Sequence, residues 1–338
     1  MELQLFALNS SEFIGRKISE NLGIPLGQHE ERNFEDGEHK IRPLVNVRGR
    51  DVFVVHSLYS DQNETVNDKL CRLLFFIGAL KDASAGHVTA VIPYLAYARK
   101  DRKTKSRDPI TLKYIAQVLE AVGVDHVISF DVHNVAAFQN AFRIPTEHLE
   151  ASAVFAPYLV PMTENEEIVI VSPDAGGSKR AESLQTTLLS LTQRTIDMAF
   201  IRKQRSEGMV HGGELVIGDV KNKTAIIVDD IIASGSTLAL AAKALHEAGA
   251  TRILACATHG LFVGNAWENI NSPYLEKILI SDTIETFRLD SEMIKKKIQI
   301  VDSTMLFARA MKRSQAGDSV VELLQQYPRF QSEQLWPD

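Results

Sequence analysis

The sequence contains few cysteines, and their scarcity excludes several classes of protein. Cys71 and Cys256 are the two cysteines among 338 residues, far apart in the chain and each among apolar neighbours. Two such thiols supply neither a disulfide framework nor, by themselves, a four-ligand zinc site. We interpret both as buried free thiols, which suit a reducing compartment, and we therefore expect a cytoplasmic protein.

Long apolar runs are also missing from the sequence. The longest, such as Leu73–Leu80, fall far short of the roughly 20 residues that a membrane-spanning helix requires. The N-terminal residues MELQLFALNSSEF lack a basic region followed by an apolar stretch, so we expect no signal peptide. The sequence therefore predicts a protein without a membrane partner.

Neither sign of charge dominates the sequence. The 37 Lys and Arg residues and 43 Asp and Glu residues give a formal net charge of −6. Apolar residues make up 45% and charged residues 24%, which excludes collagen-like, low-complexity and disordered chains. A chain that is basic overall is excluded as well, although a local basic patch is not. At about 150 residues per domain, the length predicts two domains.

Short apolar runs alternate with helical patterns along most of the chain. The predicted strands are Gln4–Leu8, Asp51–Ser57, His87–Pro93, His126–Phe130, Glu167–Ser172, Thr195–Ile201, Lys223–Asp229, Arg252–Thr258, Lys277–Ser281 and Lys297–Val301. The predicted helices are Ser11–Leu22, Glu64–Asp82, Ile110–Val122, Gly177–Leu188, Ser236–Ala248 and Thr304–Arg313. This repeated order predicts α/β domains, each with a mainly parallel sheet flanked by helices.

The strand–helix pattern runs twice, which predicts two domains of similar construction. One set fills residues 1–146 and the other fills residues 147–305, with a boundary in the stretch Pro145–Pro161. In the tail at 321–338, the residues Gln331–Asp338 are mostly polar and include one tryptophan. We therefore expect this end of the chain to be loose.

The segment Ile226–Thr237, with the sequence IIVDDIIASGST, carries the strongest functional signal. It combines a buried strand, two carboxylates and a turn of small residues before a helix. Backbone N–H groups of such a turn bind anions, and Gly235 allows a phosphate to approach closely. Asp229 and Asp230 suit sugar hydroxyls, so the segment predicts a ribose phosphate site. The alternative is an acidic strand end followed by an ordinary serine cap of the helix.

This segment resembles the phosphoribosyl-pyrophosphate loop of the type I phosphoribosyltransferase fold. Further segments are similar to those of ribose-phosphate pyrophosphokinases and follow the same order along the chain. They are Asn33–Glu38 (NFEDGE), Pro93–Lys103 (PYLAYARKDRK), Arg107–Ile110 (RDPI), Val171–Gly177 (VSPDAGG), Gly218–Val220 (GDV) and Ser281–Ile284 (SDTI). The chain is therefore identified as a member of this family over nearly its whole length.

The resemblance implies a reaction and a set of partners. The pyrophosphoryl group of ATP is transferred to the 1-hydroxyl of ribose 5-phosphate, which yields 5-phosphoribosyl 1-pyrophosphate and AMP. The resemblance also implies two type I domains, with a helix at residues 306–320 that packs back on the N-terminal domain. It further implies a Mg²⁺ cofactor and a dimer-based homo-oligomer, often a hexamer. Nucleic acid is not an expected partner.

The resemblance assigns roles to individual residues. The catalytic residues are Lys203 and Arg205, and Arg205 also binds the phosphate of ribose 5-phosphate. The ATP-binding residues are Phe34, Asp36, Gly37, Glu38, Arg99, Lys100, Asp101 and His133. The other ribose 5-phosphate residues are Asp229, Asp230, Ala233, Ser234, Gly235, Ser236 and Thr237. The metal-binding residues are His133 and Asp174.

Several of these assignments have a structural alternative. Arg99–Arg107 is a short basic run, a pattern also typical of nucleic-acid binding, although the acidic chain as a whole disfavours that alternative. Phe34 alternatively packs in a core, and His133 alternatively makes a structural hydrogen bond. The basic residues at 202–205 alternatively form a solvated turn.

Three segments depart from the family pattern. Lys100 stands where Gln is common, so the nucleotide preference is not implied by the resemblance. Ala233 and Ser234 replace an acidic residue and Thr. Residues 131–149 differ in a region that contributes to subunit contacts and to regulation by phosphate and ADP in bacterial and animal members. The alternatives to an active synthetase are a non-catalytic regulatory homologue and a phosphoribosyltransferase.

Overall fold

The structure of the protein is a computed structural model that describes residues 1–203 and 214–335. The chain divides into two compact units. Met1–Leu149 and Thr304–Leu323 form the first unit, and Glu150–Ser303 with the residues from Leu324 onward form the second. The chain thus returns to the first unit after completing the sheet of the second.

The first unit contains a five-stranded parallel sheet. In spatial order its strands are β1 (Leu3–Ala7), β4 (Asp51–Val55), β5 (His87–Ile92), β6 (His126–Phe130) and β7 (Thr146–Leu149). A separate antiparallel hairpin is formed by β2 (His29–Asn33) and β3 (His39–Pro43). The strands β1, β4 and β6 are buried along their whole length, as expected for a parallel sheet covered on both faces.

The helices of the first unit include one from near the C-terminus. They are α1 (Glu12–Leu22), α2 (Val66–Asp82), α3 (Thr111–Ala121), α4 (Val135–Ala141) and α10 (Thr304–Ala316). The start of α10 is tied to α1, because Asn21 Nδ2 donates to Thr304 Oγ1 at 3.0 Å. The ring of Phe307 packs edge-on against Phe130 at the end of β6, with centroids 5.6 Å apart. These contacts explain why α10 belongs to this unit.

The second unit contains a seven-stranded sheet in which the edge strand β10 is antiparallel and the other pairs are parallel. In spatial order its strands are β10 (Glu214–Ile217), β9 (Asp197–Lys203), β8 (Ile168–Ser172), β11 (Thr224–Ile232), β12 (Arg252–Gly260), β13 (Lys277–Ser281) and β14 (Ile298–Val301). The remaining helices are α5 (Ser152–Met162), α6 (Ser178–Thr192), α7 (Ser236–Glu247), α8 (Ala266–Ile270), α9 (Ser291–Lys297) and α11 (Val320–Leu335).

The α/β fold class is confirmed, and each predicted strand and helix is present with ends that differ by a few residues. The prediction of a loose end at Gln331–Asp338 is wrong for the first residues of this range, because α11 continues to Leu335. The side chains of Tyr327 and Gln331 are buried, so one face of this polar helix is packed. Within residues 1–203 and 214–335, none of the helices has the length and apolar character needed to cross a membrane.

Candidate active site

The predicted site segments of the second unit meet at one edge of its sheet. The strands β9, β8 and β11 are neighbours, and their carboxyl ends lie on the same side. In the register, Ser172 at the end of β8 pairs with Phe200, so Lys203 lies further along β9 beyond this edge. Asp174 follows β8, and Asp229 and Asp230 lie near the end of β11. This is the place where open α/β sheets bind ligands.

Asp229 and Asp230 form a pair of carboxyl groups at this edge. Asp230 is buried, and Arg180 Nη1 lies 3.6 Å from its Oδ1. Burial and the neighbouring Asp230 carboxylate raise the pKa of Asp229 to about 8. Because a protonated carboxyl group donates a hydrogen bond and a carboxylate accepts one, the pair offers both kinds of contact to vicinal sugar hydroxyls.

The turn between β11 and α7 begins helix α7 without a side-chain cap. Gly235 is the N-terminal cap residue of α7 and, as a glycine, has no side chain that could accept a hydrogen bond from the first N–H groups of the helix. The hydroxyls of Ser234 and Ser236 are exposed and lie 3.1 Å from each other. The alternative of an ordinary serine cap is therefore wrong. The first N–H groups of a helix have no intrahelical acceptor, so this turn has the geometry of an anion site.

Gly235 meets two requirements of this turn. Its φ is 72°, a left-handed conformation that residues with a Cβ adopt at a cost. A Cβ at this position would also lie 2.8 Å from Cγ2 of Ile270 on α8. A glycine is therefore required by the backbone and by the packing of α8 beneath the turn.

Asp174 shapes the turn that follows β8. Its Oδ1 accepts hydrogen bonds from the N–H of Gly176 at 2.8 Å and of Gly177 at 3.0 Å. The residue is exposed, so its carboxylate also faces solvent. Oxygen ligands of this kind suit Mg²⁺, which usually takes one or two protein carboxylates and completes its shell with water and substrate phosphates. Among the described residues, no group of three or more His, Cys, Asp and Glu side chains is arranged around a metal position.

The first four predicted ATP-binding residues, Phe34 and residues 36–38, lie on the turn between β2 and β3 in the first unit. Phe34 N–H donates to the Glu38 carbonyl at 2.8 Å, Glu38 N–H donates to Asp36 Oδ1 at 3.0 Å, and Gly37 has a φ of 90°. The Phe34 side chain is 41% exposed. The alternative that Phe34 packs in a core is therefore wrong, and its ring is available to a planar ligand.

A cleft of about 640 Å³ lies beside this turn and is lined in part by Phe34 and Arg72. Arg72 is buried on α2 and donates to Asn33 Oδ1, the residue just before the turn. It also lies 2.5 Å from Glu64 Oε1 and 3.5 Å from Glu31 Oε2. These contacts attach the hairpin to α2 and fix the position of the turn.

The predicted triphosphate segment and His133 lie together at another part of the first unit. Asn134, the neighbour of His133, donates from Nδ2 to Asp101 Oδ2 at 2.6 Å. His133 and Arg99 are exposed. The non-glycine residues Tyr97, with a φ of 64°, and Asp131, with a φ of 45°, have left-handed backbone conformations beside these segments. Such costly conformations cluster at functional sites.

Lys100 is engaged within this segment. Its Nζ donates to Asp108 Oδ2 at 2.6 Å and to Thr104 Oγ1 at 2.8 Å. The same Asp108 oxygen accepts from the N–H groups of Thr104 and Lys105 at 3.1 and 2.9 Å. The Lys100 ammonium and the Thr104 hydroxyl hold the pKa of Asp108 well below its usual range. Asp108 thus orders a segment whose other basic side chains are exposed.

Two predicted residues are not described in full. Arg205 lies outside the described residues, and Lys203 is described by its backbone position at the end of β9. Sequence reasoning also missed Arg180 and Arg72, because each acts on a site residue from a different part of the chain. It missed the role of Asp108, although Asp108 lies in the same segment as Lys100. A signal for Arg180 was present, since it follows the Gly176–Gly177 turn by less than one helical turn.

Comparison with known proteins covers both units. Residues 3–123 match the family model of the N-terminal domain of ribose phosphate pyrophosphokinase, and residues 210–325 match the phosphoribosyl synthetase-associated domain. A ribose-phosphate pyrophosphokinase of Clostridium perfringens is 42% identical over 284 residues, covering 83% of this chain and 86% of the relative. The chain belongs to the ribose-phosphate pyrophosphokinase family.

Other members of this family agree over nearly the whole length. A ribose-phosphate pyrophosphokinase of Caldanaerobacter subterraneus is 39% identical over 321 residues, covering 95% of this chain and 97% of the relative. The crystal structure of the phosphoribosylpyrophosphate synthetase of Mycobacterium smegmatis matches 94% of this chain and all of that chain, with a TM-score of 0.83 and 29% identity. Membership makes the protein a transferase, and a match over both halves disfavours a lone phosphoribosyltransferase domain.

Proposed function

We propose that the protein transfers the pyrophosphoryl group of ATP to the 1-hydroxyl of ribose 5-phosphate. The products are 5-phosphoribosyl 1-pyrophosphate and AMP. The observation that carries this proposal is the pairing of two features on one strand. The turn at 234–237, with the exposed residues Ser234 and Ser236, fits a phosphate, and the Asp229–Asp230 pair just before it fits vicinal hydroxyls. A ribose phosphate is a ligand that has both groups.

The sugar is oriented by its two ends. Its 5-phosphate accepts hydrogen bonds from the N–H groups of the turn and from the hydroxyls of Ser234, Ser236 and Thr237, while Ala233 contributes backbone. The 2- and 3-hydroxyls contact Asp229 and Asp230. With both ends held, the 1-hydroxyl is left for reaction with the nucleotide, and holding reactants in this way supplies much of the rate enhancement.

The reaction is an in-line displacement at the β-phosphorus of ATP. A bond forms between the 1-oxygen of the sugar and the β-phosphorus, and the bond from that phosphorus to the oxygen of AMP breaks. AMP leaves with the electron pair, and the 1-hydroxyl loses its proton. Negative charge spreads over the β-phosphoryl oxygens, so neighbouring cations stabilise the transition state. We assign this role to Lys203 and Arg205, with Arg205 also contacting the 5-phosphate.

Lys203→Ala tests this assignment. We expect kcat to fall by about 100-fold or more, because a cation that acts in the transition state has that order of effect. The affinity for ATP, measured without turnover, should change little. A kcat within a few-fold of the wild type would remove Lys203 from the mechanism.

The nucleotide is assigned to the first unit. Phe34 stacks on the adenine, and Asp36, Gly37 and Glu38 contact the base or its ribose. Arg99, Lys100 and His133 contact the triphosphate, a role for which Lys100 must leave or share its contact with Asp108. Asp101 is a further ATP-binding residue. The exposure of Phe34, Arg99 and His133 supports these assignments.

Magnesium is the proposed cofactor. When bound, Mg²⁺ neutralises the triphosphate and fixes its geometry. The exposed carboxylate of Asp174 fits such an ion, and His133 is the second proposed metal-binding residue, acting in part through water. If magnesium titrations of Asp174→Asn and of His133→Ala overlay that of the wild type, this assignment is wrong.

We further propose a cytoplasmic, dimer-based homo-oligomer, with a hexamer or a smaller assembly as the alternatives, that binds neither nucleic acid nor a membrane. The exposed apolar side chains Phe75 and Tyr114 support an assembly, since each is more than half exposed in the single chain. The net charge of −6 and the internal contact of Lys100 disfavour nucleic-acid binding. Sedimentation and a nucleic-acid shift assay test these points.

One assay tests the reaction as a whole. Ribose 5-phosphate, ATP and Mg²⁺ are incubated with the protein, and the nucleotide product is identified. AMP formation supports the proposal, and ADP would instead indicate an ordinary kinase. Thermal-shift titration with each substrate runs in parallel, because a bound ligand raises the melting temperature without turnover. Binding of substrate without turnover would favour the non-catalytic regulatory homologue.

A further inference from the structure

Three successive backbone carbonyls at the end of β11 are held from one side by the segment that follows β12. The Ile232 carbonyl accepts hydrogen bonds from two N–H groups of that segment, at 2.9 and 3.1 Å. The Ala233 carbonyl accepts from Val263 N–H at 2.9 Å. The Ser234 carbonyl accepts from the side-chain Nδ2 of Asn269 at 2.7 Å. The third contact therefore depends on a side chain, whereas the first two depend on backbone.

These contacts fix the direction of the N–H groups in the turn. In a trans peptide, the carbonyl of one residue and the N–H of the next point in opposite directions. Because the carbonyls of Ile232, Ala233 and Ser234 point toward the segment after β12, the N–H groups of Ala233, Ser234 and Gly235 point away from it. The N–H of Gly235 is thereby aimed to the side opposite α8.

The peptide between Ser234 and Gly235 is the one that most needs such a restraint. Glycine adopts positive and negative φ with similar ease, so this peptide can flip at low cost unless a contact prevents it. Asn269 lies on α8, which packs directly under the turn: a Cβ on Gly235 would be 3.4 Å from Asn269 Cβ and 2.8 Å from Ile270 Cγ2. The donor is thus held in place by the packing of its own helix.

We propose that Asn269 is a positioning residue for the phosphate of ribose 5-phosphate. It fixes the Ser234–Gly235 peptide so that the N–H of Gly235 faces the phosphate, and it stays on the carbonyl side of the turn without contacting the substrate. This inference rests on the proposed function. It adds a residue that the turn sequence does not contain and that lies 35 positions from Ser234 along the chain.

Two substitutions separate the donor from the bulk of the side chain. Asn269→Ala removes both, whereas Asn269→Asp keeps the size but presents an ionised carboxylate, which cannot donate to the Ser234 carbonyl. Glu268→Ala, at an exposed residue of the same helix, is the matched control. We expect the KM for ribose 5-phosphate to rise about 3- to 10-fold in both Asn269 variants, the order of effect of one lost hydrogen bond. The KM for ATP and kcat should stay within two-fold of the control.

A thermal-shift titration with ribose 5-phosphate gives a readout that does not need turnover. The unliganded Asn269 variants should melt within a few degrees of the control, and half-maximal stabilisation should require about 3- to 10-fold more ribose 5-phosphate. The inference is overturned if both variants titrate like Glu268→Ala, or if Asn269→Asp behaves as the wild type. It is also overturned if the KM for ATP rises equally. A wild-type protein that neither binds nor converts ribose 5-phosphate overturns the proposed function itself.

Discussion

Asp229 is the site residue whose protonation the fold changes strongly. Its pKa is about 8 in the folded protein, raised by burial and by the Asp230 carboxylate, against about 4 in an unfolded chain. Between these pH values the folded state keeps a proton that the unfolded state has lost. The stability that this group contributes is therefore complete below about pH 4 and declines as the pH rises to about 8.

Asp229→Asn removes this pH dependence because an amide does not titrate. We expect the variant to gain stability relative to the wild type as the pH rises from 5 to about 8, as measured by urea unfolding across that range. Asp82→Asn, at an exposed residue of the first unit, is the control and should follow the wild type. Parallel stability curves for Asp229→Asn and the wild type would show that the pair carries no extra proton.

Substitution of Gly235 by any larger residue should lower the stability of the fold for two separate reasons. Gly235→Ala places a Cβ in a left-handed conformation and 2.8 Å from Ile270 Cγ2. Gly23→Ala is a matched control, since Gly23 has a φ of 68° but no atom within 4 Å of the added Cβ. We expect a loss of about 1 kcal/mol in the control from backbone strain alone, and about 2–4 kcal/mol at Gly235 from strain plus overpacking.

Chemical denaturation of the two glycine variants measures this difference. Gly23→Ala leaves the site intact, so the KM of this control for ribose 5-phosphate should match that of the wild type. The KM of Gly235→Ala for ribose 5-phosphate should rise. Equal losses of stability in the two variants would mean that α8 moves freely and does not support the turn.

At the scale of elements, the basic segment after β5 depends on Asp108. One oxygen of this carboxylate accepts from the Lys100 ammonium, from the Thr104 hydroxyl and from two backbone N–H groups. Asp108→Ala removes these contacts together, so the segment should lose its ordered conformation. We expect the KM for ATP to rise about 10-fold and the KM for ribose 5-phosphate to stay unchanged.

Glu20→Ala, at an exposed residue on α1, is the control for the loss of one negative charge. Steady-state kinetics at two salt concentrations separate local order from long-range charge, since salt screens exposed charges. If Asp108→Ala and Glu20→Ala give the same KM for ATP at both salt concentrations, the ordered conformation of the basic segment after β5 does not contribute to nucleotide binding.

The elements that the sequence predicts well are those whose burial is uniform. The strands β4, β6 and β8 are mostly apolar and are buried at each position, and such runs between helices indicate a parallel sheet. The hairpin β2–β3 was missed because its strands, HEERN and HKIRP, are mostly charged and mostly not buried. Arg72 from α2 holds this hairpin, and such a contact has no local sequence pattern.

Helix α5 was missed for a different reason. It contains Pro157 and Pro161, and proline within a pattern argues against a helix because it lacks an N–H donor. Most of α5 is nevertheless buried, so tertiary packing compensates for the lost hydrogen bonds. Prediction of the candidate site was limited in the same way. Residues adjacent in the chain, such as Asp229 and Asp230, were found, whereas Arg180 and Asn269 were missed because they reach the site from distant segments of the chain.

At the scale of the whole molecule, acid stability depends on buried histidines of the first unit. His56 is completely buried, and its Nδ1 lies 3.1 Å from Ser11 Oγ. Burial, together with the positive charges of Lys69 and Arg72, lowers the pKa of His56 to about 3. Since the unfolded value is about 6.5, the unfolded state binds a proton first. The stability from this group is present above about pH 6.5 and is lost as the pH falls to about 3.

His56→Gln tests this account because a glutamine amide stays neutral and still offers an acceptor to Ser11. We expect the melting temperature of the variant to fall less steeply than that of the wild type as the pH is lowered from 6.5 to 4. Thermal unfolding followed by circular dichroism measures both melting temperatures. His246→Gln, at an exposed residue of the second unit, is the control and should follow the wild type. If His56→Gln shows the same acid dependence as the wild type, the protonation of His56 does not limit acid stability, and other groups that bind protons on unfolding must account for it.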